Sequence, residues 1–200
     1  MKRIIYWIIL FTAVITHSSC EHGKDVKQHF KHQQHSENKL ESNMKISKPN
    51  RVAHTYEQTI NGTIEEIFPL YCPVRELDWA YGWNPKVVYS NSGLVEPDCV
   101  FITEHDGHET VWYVSVYDIE QGRVEMIRHT TGVTFTKLEI IVEPISEDKT
   151  KAVITYSKTS LSEIGDKVLK EFTKENYDIM MDSWEKEMNH YLKTGEMLTG

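Results

Sequence analysis

The sequence predicts an α+β domain: one antiparallel sheet of about seven strands, two short helices after the first strand, and a long C-terminal helix. Three observations lead there. Strand-like runs follow one another between residues 86 and 158, separated only by short Gly-, Asn- or Asp-bearing turns. A capping-box pattern, Thr63-Ile-Glu-Glu66, stands between the first such run and the rest. The last stretch, from Ser160 to about Lys193, is helix-compatible almost throughout.

Each element follows from local chemistry. Val52–Ile60 has strand composition and ends at the turn signal Asn61-Gly62. The helix capped by Thr63 should bury Ile64, Ile67, Phe68 and Tyr71, and Pro69 limits or kinks it. Residues 72–83 (Cys72-Pro-Val-Arg-Glu-Leu-Asp-Trp-Ala-Tyr-Gly-Trp83) crowd three large aromatics, an Arg–Glu pair and a thiol into a short segment, with a second short helix expected around Arg75–Tyr81. Strands are expected at Lys86–Asn91, Cys99–Glu104, Thr110–Asp118, Arg123–His129, Val133–Glu143 and Lys151–Lys158. Asp106-Gly107 between two apolar runs reads as a hairpin turn. Leu138, Ile140 and Val142 alternate with Lys137, Glu139 and Ile141, the pattern of a sheet with one covered face. Ser160-Leu-Ser-Glu163 is capping-box-like and opens a helix of some thirty residues, about 45 Å long, with Gly165 its only weak point. Ile164, Val168, Phe172, Met180, Trp184, Met188 and Tyr191 or Leu192 fall near one apolar stripe, and Thr194-Gly195 ends it.

That order of elements, over about residues 52–196, resembles the helix-grip fold of the START-like superfamily, the SRPBCC or polyketide-cyclase-like group. Cys72-Pro-Val-Arg-Glu76, Trp79, Gly82-Trp83, Asp98-Cys99-Val-Phe101 and Trp112 look like a bacterial subgroup of those proteins without assigned activity. The resemblance implies a sheet curved around the terminal helix, a cavity between them, and the Cys72–Trp83 segment at its mouth. It also implies a small hydrophobic molecule or lipid as partner, held by Arg75, Glu76, Trp79, Trp83, Phe101, Trp112, Tyr156, Met180 and Trp184. The fold hosts enzymes as well, so Glu76 or Tyr156 could serve as an acid–base group of a cyclase, aromatase or hydrolase. As sequence neighbours on a helix, Arg75 and Glu76 diverge by roughly 100°, so helix geometry does not itself set them to pair.

The N-terminal quarter reads differently. Lys2 and Arg3, an apolar run from Ile4 to Ile15, and Thr16-His-Ser-Ser-Cys20 have the layout of a secretory signal. Cys20 after Ser18-Ser19 resembles the lipobox of bacterial lipoproteins, with His17 where the pattern usually has Leu. The expectation is lipidation at Cys20 and a place on the extracytoplasmic side of a bacterial envelope membrane. Residues 21–50 are a polar tether with too little apolar surface to offset its ordering entropy. Extended, it would let a domain at 51–197 hang up to about 100 Å away. His22, His29, His32 and His35 lie in it, but no scaffold accompanies them, and no metal or cofactor is expected.

The chain carries 22 basic and 30 acidic residues, net −8, and loss of Lys2 and Arg3 with the signal deepens that by two. An acidic body argues against nucleic acid, and membrane contact is expected only through lipid on Cys20. A monomer is expected. Cys72 and Cys99 could pair in an oxidising compartment, closing a loop of about 28 residues for roughly 3.5 kcal/mol, or remain two buried thiols. No His among His54, His105, His108, His129 and His190 can be set beside Cys72 to make it a nucleophile, and no catalytic residue is assigned.

Overall fold

Alternation of inward apolar and outward polar side chains builds one sheet, and the two- to four-residue turns between the strands of residues 100–160 are too short for any connection but antiparallel neighbours. The computed structural model describes residues 50–199, except position 106. The signal, most of the tether, Cys20 and the four tether histidines lie outside the described residues. The strands are β1 (Arg51–Asn61), β2 (Lys86–Tyr89), β3 (Val100–His105), β4 (His108–Asp118), β5 (Arg123–Thr130), β6 (Thr134–Ser146) and β7 (Lys149–Ser160). They lie in the order β1-β7-β6-β5-β4-β3-β2, every pair antiparallel. Register shifts at Val87/Tyr89, Val114/Val116 and Pro144/Ser146 bend the strands.

The capping box at Thr63 forms as expected. Its hydroxyl accepts from the Glu66 N–H, and the Glu66 carboxylate accepts from the Thr63 N–H. It starts α1 (Ile64–Ile67), which tightens into a 3₁₀ turn over Phe68–Tyr71. The second helix expected at Arg75–Tyr81 is a single 3₁₀ turn, Arg75–Asp78. Trp79 leaves helical geometry at φ −133°, and Gly82 at φ +77° turns the chain towards β2.

The expected thirty-residue helix is two helices, α2 (Glu163–Glu171) and α3 (Lys174–Thr194). Thr173 ends the first by capping the second: its side chain accepts from the Asn176 N–H, and the Asn176 amide donates to the Glu171 carbonyl. His54 on β1 donates from Nε2 to the freed Phe172 carbonyl at 2.9 Å. The break resets the helical phase. Ile164 and Val168 are therefore exposed, contrary to the stripe read from the sequence, and α2 buries Gly165 and Leu169 instead. Gly165 is required there, because a Cβ would meet the Val133 carbonyl oxygen at 2.0 Å.

Helix α3 lies on the sheet through Tyr177, Met181 and Met188. Tyr177 donates to the Ile154 carbonyl of β7 at 2.7 Å, and Gln58 of β1 donates to the Met181 carbonyl at 2.7 Å. The core these elements enclose is completed from the connecting segment by Phe68, Tyr71 and Trp79, each at most 1% exposed. Among the described residues, no helix is long and apolar enough to cross a membrane.

Candidate functional site

Period two carries the sheet's inner face from apolar to polar along β5 and β7. On β5 the inward series runs Val124, Met126, Arg128, Thr130; on β7 it runs Ala152, Ile154, Tyr156, Lys158. Antiparallel register then sets Phe101, Trp112, Arg128, Thr136 and Lys158 side by side across five strands. One row further on stand Thr110, Thr130 and Thr134.

Two adjoining cavities lie over these rows. One of about 300 Å³ is walled by Trp83, Trp112, Tyr156, Met180 and Trp184, with Glu104 among the residues at its edge. The other, of about 380 Å³, is walled by Thr110, Thr130, Thr134, Val133, Phe172 and Met180, with His108 and Glu171 also on it. Arg128, Lys158 and Met180 belong to both. The aromatic space thus lies beside a space lined by hydroxyls, and two cations stand on the wall they share.

Neither cation is paired. Among the described residues no salt bridge includes Arg128 or Lys158, although six other basic side chains form such bridges. The Arg128 guanidinium carbon lies 5.2 Å from the centre of the Trp112 ring, and its Nε is buried without a hydrogen-bond partner. The Lys158 ammonium sits 3.6 Å from the centre of the Phe172 ring. Burial, then the charge of Arg128, pull the Lys158 ammonium down to about 8. Burial also lowers Arg128. The neighbouring Tyr156 hydroxyl is pushed up by burial, with Arg128 drawing it back and Glu76 adding to the rise.

The aromatic wall is built from two directions. Trp83 is fixed from the connecting segment by an indole N–H donated to the Pro73 carbonyl at 2.8 Å. Trp112 donates to Thr103 Oγ1 at 2.9 Å and stacks on Phe101, ring centres 5.3 Å apart and 12° from parallel. Trp83 meets both rings edge-on.

Of the nine residues proposed from the sequence, the structure brings Trp83, Trp112, Tyr156, Met180 and Trp184 together on the cavity wall. The other four stand elsewhere. Phe101 is 1% exposed, a backing for Trp112. Trp79 is wholly buried, donates to the Leu70 carbonyl at 2.9 Å and meets Trp184 edge-on at 5.9 Å. Arg75 lines neither cavity and pairs with Asp78 at 2.6 Å. Glu76 is buried and, among the described residues, has no ion pair, and burial pushes its carboxyl up to about 8. Cys72 and Cys99 are buried free thiols, and Cys72 Sγ accepts from the Val95 N–H at 3.4 Å. Arg128 and Lys158 were missed by the sequence reading. The signal was available: each continues an inward alternation that its strand had already begun.

Among the described residues, no group of three or more His, Cys, Asp or Glu side chains is gathered as a metal would need. No protein-family model matches the chain, and no curated protein matches its sequence. Solved structures do match its shape. Norcoclaurine synthase from Thalictrum flavum superposes with a TM-score of 0.56 at 10% identity, over 73% of this chain and 88% of that one. The Zhui aromatase/cyclase from Streptomyces sp. R1128 gives 0.54 at 8% identity, over 74% and 100%. The hypothetical protein jhp0584 from Helicobacter pylori gives 0.54 at 11% identity, over 90% and 99%. At such identities the likeness establishes architecture alone: the chain has the START-like, helix-grip fold, a curved seven-stranded antiparallel sheet closed by its C-terminal helix.

Proposed function

We propose that this protein holds a small hydrophobic or aromatic molecule between the inner face of its sheet and α3. The carrying observation is the wall formed by Trp83, Trp112, Tyr156, Met180 and Trp184 around 300 Å³ of space, a size and lining that suit a flat apolar ligand. Similarly shaped proteins support the reading. One norcoclaurine synthase structure is described as a complex with dopamine and hydroxybenzaldehyde, both small aromatics, and another neighbour is an aromatase/cyclase. Native mass spectrometry of the purified protein, with titration by the uncharged fluorophore N-phenyl-1-naphthylamine, tests it. A co-purified small molecule or saturable binding of the fluorophore is expected. Protein that is always empty and never binds the fluorophore would overturn the reading.

A second reading, catalysis, is favoured by one observation. Glu76 has its carboxyl raised to about 8 by burial and acts electrostatically on Tyr156, which faces the cavity. A group poised near neutrality can give or take a proton at physiological pH. Under this reading Glu76→Gln and Tyr156→Phe each abolish turnover of an aromatic substrate while leaving its binding intact; unchanged turnover in both variants would exclude it.

The same reading extends to the cell. We propose that the chain is exported and tethered through lipid on Cys20, on the strength of the signal-like layout of residues 1–20 and the polar stretch after it. Labelling with palmitate that disappears in Cys20→Ser is the expected result; label retained in that variant, or absent from both, would exclude the anchor.

A further inference from the structure

We infer that the cavity takes an anionic ligand: an aromatic or apolar body bearing one carboxylate, the body lying against Trp83, Trp112 and Trp184 and the carboxylate between Arg128 and Lys158. The inference rests on the proposed hydrophobic-ligand function and adds the ligand's charge.

Position argues first. Arg128 and Lys158 flank Thr136 in one row across β5, β6 and β7. Their strands are two spacings apart, about 10 Å. Two long side chains from that separation can both reach one oxyanion, and both belong to the wall shared by the two cavities.

Satisfaction argues second. A buried cation is ordinarily paired or neutralised, because desolvation costs several kcal/mol per ion. Here both are half-buried and unpaired among the described residues, and the Arg128 Nε donor, itself buried, lacks any acceptor. Cation–π contacts with Trp112 and Phe172 offset part of that cost and leave the N–H donors unused. The acidic side chains on the walls, Glu104 and Glu171, are exposed and pair with neither cation.

The hydroxyls argue third. Thr110 Oγ1 and Thr130 Oγ1 share one hydrogen bond at 2.9 Å. Whichever accepts keeps its own proton to donate, so this wall has a neutral donor to add to the two cations. Donors without acceptors, beside an aromatic compartment, match a molecule with an apolar body and an acceptor-only end. A carboxylate is such an end, and Arg can hold it by two parallel bonds.

The test compares two competitors of one shape, 1-naphthoate and 1-naphthalenemethanol, each displacing N-phenyl-1-naphthylamine from the purified protein. The carboxylate should displace it at a concentration about tenfold lower than the alcohol. Arg128→Gln and Lys158→Met should each bring the two competitors towards equality, while Lys158→Arg keeps the preference. Circular dichroism of each variant confirms that it is folded, and the conservative Lys158→Arg result stands even if a neutral variant is not. Equal displacement by acid and alcohol in the unaltered protein, with the fluorophore bound, would overturn the charge preference and leave the hydrophobic-ligand reading in place. Failure of the fluorophore and both competitors to bind would overturn both.

Discussion

Arg128 lies with its guanidinium carbon 5.2 Å from the centre of the Trp112 ring, the residue directly opposite it on β4. The contact is a partial substitute for water. A cation over an indole gains about 0.5–2 kcal/mol, while taking the cation out of water costs several. Arg128 should therefore be a net burden on the empty protein. Arg128→Met is expected to raise the urea midpoint, by about 1–2 kcal/mol in unfolding free energy, because it keeps the packing on Trp112 and removes the charge. A loss of stability of that size instead would identify Arg128 as a structural anchor of the sheet.

Glu76 gives the fold a pH dependence of known sign. Its carboxyl rises from the ordinary value near 4.5 to about 8 in the folded chain, so between those limits the folded state binds a proton that the unfolded state has released. Stability from this group is complete below about pH 4.5 and is lost as pH rises through 8. Urea unfolding at pH 5 and pH 8 should show a fall of on the order of 1–3 kcal/mol that Glu76→Gln, which cannot ionise, does not share. Lys158 runs the other way: its pKa is lowered to about 8 when folded, so stability recovers as pH climbs from there towards 10.5. The comparison at pH 5 and 8 lies below most of that recovery, and Tyr71 and Tyr156, the titratable groups that feel Glu76, stay protonated throughout.

Two tryptophans in edge-on contact separate packing from binding. Trp79 is wholly enclosed, and its indole N–H is donated to the Leu70 carbonyl; Trp184 forms part of the cavity wall. Trp79→Ala should cost about 3–5 kcal/mol and leave little folded protein to titrate. Trp184→Ala should cost less, since space already lies on one side of that ring, and should enlarge the cavity. Binding measured with a series of fluorophores of increasing size checks this: Trp184→Ala is expected to shift the optimum to larger molecules, and an unchanged optimum would place the ligand elsewhere.

The strands, their order and the first cap were legible because period-two alternation and turn residues act over a few positions. Val124, Met126 and Arg128 show where that reading stopped short. Wall candidates chosen by aromatic or thioether identity leave out a charge in this series, although alternation alone sends it inward. Trp79 and Phe101 show the converse. Aromatic identity suggested a lining, but whether a ring faces a void or fills one depends on neighbours from other elements, Leu70, Trp112 and α3, that side-chain type does not reveal. Arg75 found its carboxylate three residues on, in Asp78, and not in its neighbour Glu76. The helix break was signalled only by Thr173-Lys-Glu-Asn176, a cap lying inside a run otherwise favourable to helix.

Gly165 tests how far local propensity can be trusted. In a helix interior, Gly→Ala ordinarily stabilises by about 1 kcal/mol. Here the added methyl would sit 2.0 Å from the Val133 carbonyl oxygen and 2.7 Å from Ser160 Oγ. The first is backbone at the turn into β6, which is held by the Leu161 N–H donated to that same carbonyl at 2.9 Å. It cannot retreat without losing that bond. Overpacking of this kind costs about 1–3 kcal/mol, so Gly165→Ala should destabilise, against its helix propensity, and should loosen the contact of α2 with the β5–β6 turn. Thr173→Ala, by comparison, loses one cap and about 1 kcal/mol. Chemical denaturation of the two variants in parallel decides the matter: a more stable Gly165→Ala protein would mean that α2 does not approach the sheet as closely as Val133 requires.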